Sequence, residues 1–231
     1  MANTTITNHT RITVLISGSG TNLQALVDAC NTPALPSTTI VRVISNLKNA
    51  YGLERARKAN IPTANLSVLP YKKQFPDPRG NDYTSEEARQ AYDRDLYPMV
   101  AADKPDLIVC AGWMRVLTST FLEPMQKSGV PIINLHPALP GEFDGTHHAI
   151  AEAYEAFQQG KIQRTGIMVH YVILDVDKGE PILTREIPLV NGESQDEVEQ
   201  KIHQNEWEVI VQATKMAAEQ LHAARSGRIA P

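Results

Sequence analysis

Pro131-Ile132-Ile133-Asn134-Leu135-His136-Pro137, running on into Ala138-Leu139-Pro140-Gly141-Glu142-Phe143-Asp144-Gly145, sets the frame for the whole chain. Val130, Ile132, Ile133 and Leu135 form an apolar run that reads as a buried strand, bounded by a Pro/Gly-rich loop. Asn134 and His136 stand two apart at its end. Side chains alternate along an extended strand, so an amide and an imidazole project from one face near its carboxyl end, where open α/β sheets hold ligands. Pro137 biases His136 away from the helical region and preserves that extended geometry. A polar strand terminus with a hydrogen-bonded core histidine is the plainer reading of the same residues.

Outward from that strand, the chain alternates strand and helix. Toward the N-terminus, residues 12–16, 40–45, 62–66 and 106–111 are β-branched or apolar runs, and helical spacing follows over 23–30, 52–58, from Ser85 onward (Ala88, Tyr92, Leu96, Met99) and over 118–125. Residues 68–83 hold Pro70, Pro76, Pro78 and Gly80 without periodicity and read as a surface excursion. Toward the C-terminus, residues 146–159 read as a helix, and 165–174 and 181–189 as two strands joined by the hairpin-like Asp175-Val176-Asp177-Lys178-Gly179-Glu180. Ser194 with Glu197 three residues later is a capping box that opens a last helix, with an apolar stripe of Val198, Ile202, Val209, Ala213, Met216 and Leu221. Strands too apolar to have a wet face imply an α/β, Rossmann-like architecture. Its twisted sheet is mostly parallel, with helices on both faces and an antiparallel strand pair near the C-terminal end. One domain over 11–225 is expected, with an unstructured N-terminal tail over 1–10 and a C-terminal tail over 226–231.

Composition narrows the function classes. The chain has 231 residues, 42% of them hydrophobic, which is enough for a substantial core. A net charge of −4 gives no broad footprint for nucleic acid or an anionic membrane, so an anionic small substrate would need local donors. Cys30 and Cys110 outline neither a metal knuckle nor a disulfide framework. No apolar stretch reaches membrane-spanning length, and residues 1–10 lack a basic segment followed by a hydrophobic one. A cytoplasmic protein is expected, with its oligomeric state, monomer or homodimer, left open.

Ser17-Gly18-Ser19-Gly20-Thr21-Asn22 follows the first strand and opens a helix. Glycines let the backbone approach a ligand, and the free amides of a helix start favour an anion. A dinucleotide fingerprint would want a third glycine where Leu23 stands, and a P-loop would want Gly-Lys-Ser/Thr, so neither a nicotinamide cofactor nor ATP is indicated. Asp177 reads locally as a turn acid; functionally, it would face His136, favour the imidazolium and orient the ring. Glu206, with His203 one turn before it, interrupts the apolar stripe of the last helix and reads either as an early-surfacing face or as a polar pair lining a cleft. Asp144, His147 and His148 do not have the spacing of a metal site, and no metal is expected. His170, alternating with apolar residues, reads as a satisfied interior histidine. Arg89 lies on a charge-rich helix, where a solvated face is the default.

Taken together, the sequence resembles the phosphoribosylglycinamide formyltransferases, folate-dependent enzymes of purine synthesis. The resemblance runs from about Arg11 to the last helix. Five ordered motifs carry it: Ile16-Ser17-Gly18-Ser19-Gly20-Thr21-Asn22-Leu23-Gln24, Gly52-Leu53-Glu54-Arg55-Ala56, Ala111-Gly112-Trp113-Met114-Arg115, Asn134-Leu135-His136-Pro137 and Asp177-Lys178-Gly179. It implies formyl transfer from 10-formyltetrahydrofolate, as cosubstrate, to glycinamide ribonucleotide, with Asn134, His136 and Asp177 as the catalytic set. By the same resemblance Gly20, Thr21, Asn22, His203, Gln204, Asn205 and Glu206 would hold the ribonucleotide phosphate and ribose. Arg89, Met114, Arg115, Val116, Leu117, Asn134, Ile173, Leu174, Asp175, Val176 and Asp177 would lie along the folate. The loop 138–145 is shorter than is usual in the family and carries Asp144 before its last glycine, so no contact is assigned to it. His203 stands where lysine or glutamine is common. The rival readings are a formyltetrahydrofolate hydrolase on the same scaffold and a non-catalytic nucleotide-phosphate binding module. A formyltransferase acting on charged tRNA would usually bring an extra domain and basic surface.

Overall fold

The computed structural model of the chain describes residues 8–80, 83–146 and 148–227. In chain order the elements are β1 (Thr10–Ile16), α1 (Thr21–Ala29), β2 (Thr38–Ser45), α2 (Tyr51–Lys58), β3 (Thr63–Asn65), α3 (Leu69–Gln74), α4 (Glu86–Ala101), β4 (Leu107–Cys110), α5 (Ser119–Lys127), β5 (Ile132–His136), α6 (Ala149–Gln158), β6 (Arg164–Tyr171), β7 (Pro181–Pro188) and α7 (Gln195–Arg225). The seven strands form one sheet in the order β3-β2-β1-β4-β5-β6-β7. Pairings from β3 through β5 are parallel, while β5–β6 and β6–β7 are antiparallel. This is the expected Rossmann-like architecture with its antiparallel pair on the C-terminal side.

Strand alternation splits the core into two layers. Ile12, Val14 and Ile16 of β1, with Leu107 and Val109 of β4, pack against α1, α2 and α7; Leu15, Ile108 and Cys110 point the other way, against α4 and α5. Both faces of the central strands are therefore dry, which is why those strands read as continuous apolar runs. The capping box of α7 is present, with the Ser194 side chain accepting from Glu197 N–H and the Glu197 side chain accepting from Ser194 N–H. Val198, Ile202, Val209 and Ala213 are fully buried beneath α7, but the stripe then passes to Ala217, leaving Met216 exposed.

Four expectations need correction. The excursion over 68–83 contains α3, because Pro70 sits in its first turn, where the missing N–H would have no intrahelical partner. Strand β6 ends at Tyr171 instead of Leu174: Val172 N–H still donates to the Ile132 carbonyl (2.8 Å), after which Ile173 and Leu174 emerge to the surface. Helix α6 begins at Ala149; Thr146 stays in the loop, its hydroxyl accepting from His148 N–H and donating to Glu152. Thr10 belongs to β1, so the N-terminal tail reaches at most to residue 9, and residues 1–7 and 228–231 of the two expected tails lie outside the described residues.

Candidate active site

Strand β1 has β2 on one side and β4 on the other, so the loops leaving β1 and β4 diverge and open a crevice at the carboxyl edge of the sheet. Two cavities occupy it. One, of about 130 Å³, lies over the ends of β4, β5 and β6; the other, of about 490 Å³, lies between the turn after β1 and the first half of α7. Gly112, Met114, Leu135 and Pro137 line both, so the two cavities adjoin along one groove edge of the sheet.

The polar end of the smaller cavity is built by β5. Asn134 and His136 share a face, and antiparallel register sets His170 of β6 directly opposite Asn134. His136 is 4% exposed. Its Nδ1 lies 3.6 Å from Asp177 Oδ2, and its Nε2 lies 3.3 Å from the Glu142 carbonyl. Both partners are acceptors, so a proton on either ring nitrogen has a group to meet. Asp177 bridges two rings, since its Oδ1 lies 3.4 Å from His170 Nε2, and its Oδ2 also accepts from Gly145 N–H (2.9 Å). Burial works to raise the Asp177 pKa, but His170, the Gly145 amide and the charge of His136 together carry it below the usual carboxylate value.

Asp177 reaches this position through the 175–180 turn. Its own φ is +58°, the left-handed region that aspartate tolerates better than most side chains. Lys178 N–H donates to the Asp175 carbonyl, and Tyr171 N–H to that of Glu180, closing the connection at both ends. His170 is not merely a satisfied interior histidine. Its Nδ1–H donates to the Tyr171 carbonyl (2.9 Å), which leaves Nε2 facing both Asp177 and the Asn134 amide nitrogen, each at 3.4 Å. No periodicity in one strand reveals that neighbour, because it comes from β5–β6 register.

Met114, Arg115, Val116, Leu117, Ile173 and Val176 line the rest of this cavity. The Arg115 guanidinium lies 4.5 Å above the Tyr92 ring, and Thr118 N–H donates to Asp93 (2.6 Å), whose carboxyl burial raises to about 6. Leu174 and Asp175 fall instead along a neighbouring cavity with Leu122 and Val130. Arg89 lines neither and pairs with Glu86 one turn earlier (2.6 Å). Cys110 also faces the smaller cavity, but burial pushes its thiol up to about 12, so it is no nucleophile at neutral pH.

The larger cavity is lined by Ser17 to Asn22, by His148, and by Gln195, Glu199, His203, Glu206 and Trp207 of α7. Glu206 is buried, and its Oε2 accepts from the Asn22 side-chain amide (3.1 Å). Burial raises its pKa despite His203 and that amide. The expected run of four ligand residues, 203–206, is corrected by helix geometry. Successive residues turn about 100°, so His203 and Glu206 share the cavity face while Gln204 points to solvent and Asn205 turns to Arg185 (3.2 Å). Among the described residues, no group of three or more His, Cys, Asp or Glu is placed to hold a metal, and no helix is long and apolar enough to cross a membrane.

Comparisons with known proteins point to one family. A sequence profile of the formyl transferase family matches residues 10–214. The chain is 49% identical over 203 residues to the phosphoribosylglycinamide formyltransferase of Schizosaccharomyces pombe, covering 87% of this chain and 94% of that one. Against the Saccharomyces cerevisiae protein of the same name it is 48% identical, with 92% and 99% covered. Among solved structures, glycinamide ribonucleotide transformylase 1 from Symbiobacterium toebii superposes with a TM-score of 0.74 at 31% identity, covering 92% of this chain and 89% of that one.

Proposed function

Because the chain belongs to the formyl transferase family, we propose that it transfers a formyl group from 10-formyltetrahydrofolate to the amine of glycinamide ribonucleotide in de novo purine biosynthesis. The carrying observation is the pair of adjoining cavities, which sets the Asn134, His136 and Asp177 cluster beside a turn suited to an anion. Val116, Leu117, Ile173 and Val176 give the first cavity apolar walls fit for a flat heterocycle. Free amides at the start of α1 suit the ribonucleotide phosphate.

In this reading the substrate amine attacks the formyl carbon, forming a C–N bond, and negative charge develops on the formyl oxygen. With His136 Nδ1 turned toward Asp177, Nε2–H is the donor that binds this oxygen, replacing the Glu142 carbonyl. Asn134, on the same face of β5 as His136, supplies a second N–H. Collapse breaks the bond between formyl carbon and folate nitrogen; the amine loses a proton and the folate nitrogen gains one, with Asp177 and His136 positioned to relay it.

An absorbance assay with 10-formyltetrahydrofolate, run with and without glycinamide ribonucleotide, tests the reading. Folate deformylation should require the ribonucleotide. Formate release without it would make the protein a hydrolase, and ligand binding with no turnover would make it a binding module.

Asp177→Asn tests the acid. Asparagine also accepts φ near +58°, so the turn survives and only the charge is lost. Turnover should fall by about one to two orders of magnitude. The folded pKa of Asp177 is depressed, so its charge stabilises the fold above the unfolded value of 3.8, and that contribution is lost as pH falls through the folded pKa. The wild-type advantage in urea unfolding should therefore be present at about pH 5 and shrink as pH falls below about 4. A gap that persists at lower pH would disprove the ionic role.

A further inference from the structure

The Gly52-Leu53-Glu54-Arg55-Ala56 motif lines neither half of the groove, yet α2 fastens the back of the turn that forms its anion end. Gly52 N–H donates to the Gly18 carbonyl (3.1 Å), and Arg55 Nε–H donates to the Ser19 carbonyl (2.9 Å). A second guanidinium nitrogen, Nη1, donates to Gln24 Oε1 on α1 (3.2 Å), and the Tyr51 ring lies 5.0 Å below the group. The approach needs two glycines. A Cβ on Gly20, whose φ is +73°, would lie 2.5 Å from Gly52 Cα, and one on Gly52 would lie 2.4 Å from Ile16 Cδ1.

Carbonyl and N–H point in opposite directions across a trans peptide, and no cis bond occurs among the described residues. Anchoring the Gly18 and Ser19 carbonyls to α2 therefore turns the Ser19 and Gly20 N–H groups away from α2, and both residues line the larger cavity. Among the described residues neither N–H has a hydrogen-bond partner. On the far side the turn is tied down independently, with Ser17 N–H donating to the Gly112 carbonyl and Met114 N–H to Ser17 Oγ. The arrangement is a backbone cradle held from behind, with a cation on its outer wall.

We propose that Arg55 is a positioning residue for the phosphate: through the Ser19 carbonyl it sets the direction of the Gly20 N–H, beside the Ser19 N–H that Gly52 sets, without touching the ligand. This rests on the anion reading of the turn given above. Arg55→Met keeps the apolar stem over Tyr51 and removes both donors; Arg55→Lys restores one donor and the charge.

The test measures calorimetric affinity for inorganic phosphate, KM for glycinamide ribonucleotide, and affinity for a folate analogue in wild type and both variants. Arg55→Met should weaken phosphate binding and raise the ribonucleotide KM about tenfold, the scale of one hydrogen bond from a charged donor. Arg55→Lys should recover most of that loss, while folate affinity and kcat at saturating ribonucleotide hold. If Arg55→Met does not accumulate as folded protein, Arg55→Lys carries the test with a smaller, ribonucleotide-specific rise in KM. Wild-type phosphate affinity in Arg55→Met, or equal losses of phosphate and folate affinity, would overturn the positioning role alone. A wild-type protein that binds the folate analogue but neither phosphate nor ribonucleotide would overturn the anion reading with it.

Discussion

His136→Ala is expected to lower kcat for formyl transfer by about 100-fold or more, the usual cost of removing one donor from an oxyanion site. Ribonucleotide affinity should survive. The imidazole lines the smaller cavity, whereas the anion turn, His203 and Glu206 line the larger one. Truncation also leaves Asp177 Oδ2 with only the Gly145 amide and the Glu142 carbonyl without its ring donor. A stability loss of about 1–3 kcal/mol should therefore accompany it. His136→Asn serves as the control, because it fills more of the space and keeps an N–H without a titrating ring. Steady-state kinetics paired with titration of ribonucleotide into each variant separates the effects. Ribonucleotide affinity lost in step with kcat would make His136 a structural residue of the strand end.

The parts of this site legible in the sequence are those governed by one-dimensional periodicity. Asn134 and His136 share a face because a strand repeats every two residues, and that inference needs no neighbour. The same reasoning could not reach His170, whose place in the cluster depends on the register that sets it opposite Asn134. Backbone groups carry no residue code, so the Glu142 carbonyl and the Gly145 amide, which hold His136 and Asp177 from the short loop, left no signal. Spacing on α7 was in the sequence and argued against the four-residue run: a helix cannot aim His203, Gln204, Asn205 and Glu206 at one cavity. Prolines misdirected the reading of α3, since Pro70 punctuates a loop and starts a helix equally well. Arg89 pairs with Glu86 across an i, i+3 spacing on α4, which the sequence offered, because residues three apart on a helix are neighbours.

Gly179→Ala is expected to damage catalysis as severely as loss of Asp177 itself, although no atom of Gly179 meets a reacting group. The glycine has an ordinary φ, so the constraint is space. A Cβ there would lie 1.6 Å from the Tyr171 carbonyl oxygen and 3.2 Å from His170 Nδ1. That carbonyl accepts the His170 Nδ1–H, the bond that leaves Nε2 facing Asp177 and Asn134. Backbone cannot yield as a flexible side chain does, so the 175–180 turn must lift from β6 and carry Asp177 with it. The steric cost should be about 1–3 kcal/mol or more, a fall in Tm of at least about 2–4 °C per kcal/mol for a chain this size. Gly160→Ala isolates the catalytic part: its φ is +69° and a Cβ there would meet nothing within 4 Å, so it should lose about 1 kcal/mol of stability with kcat unchanged. Wild-type kcat in folded Gly179→Ala would mean that Asp177 is not held by this turn, and its assignment as the partner of His136 would fall.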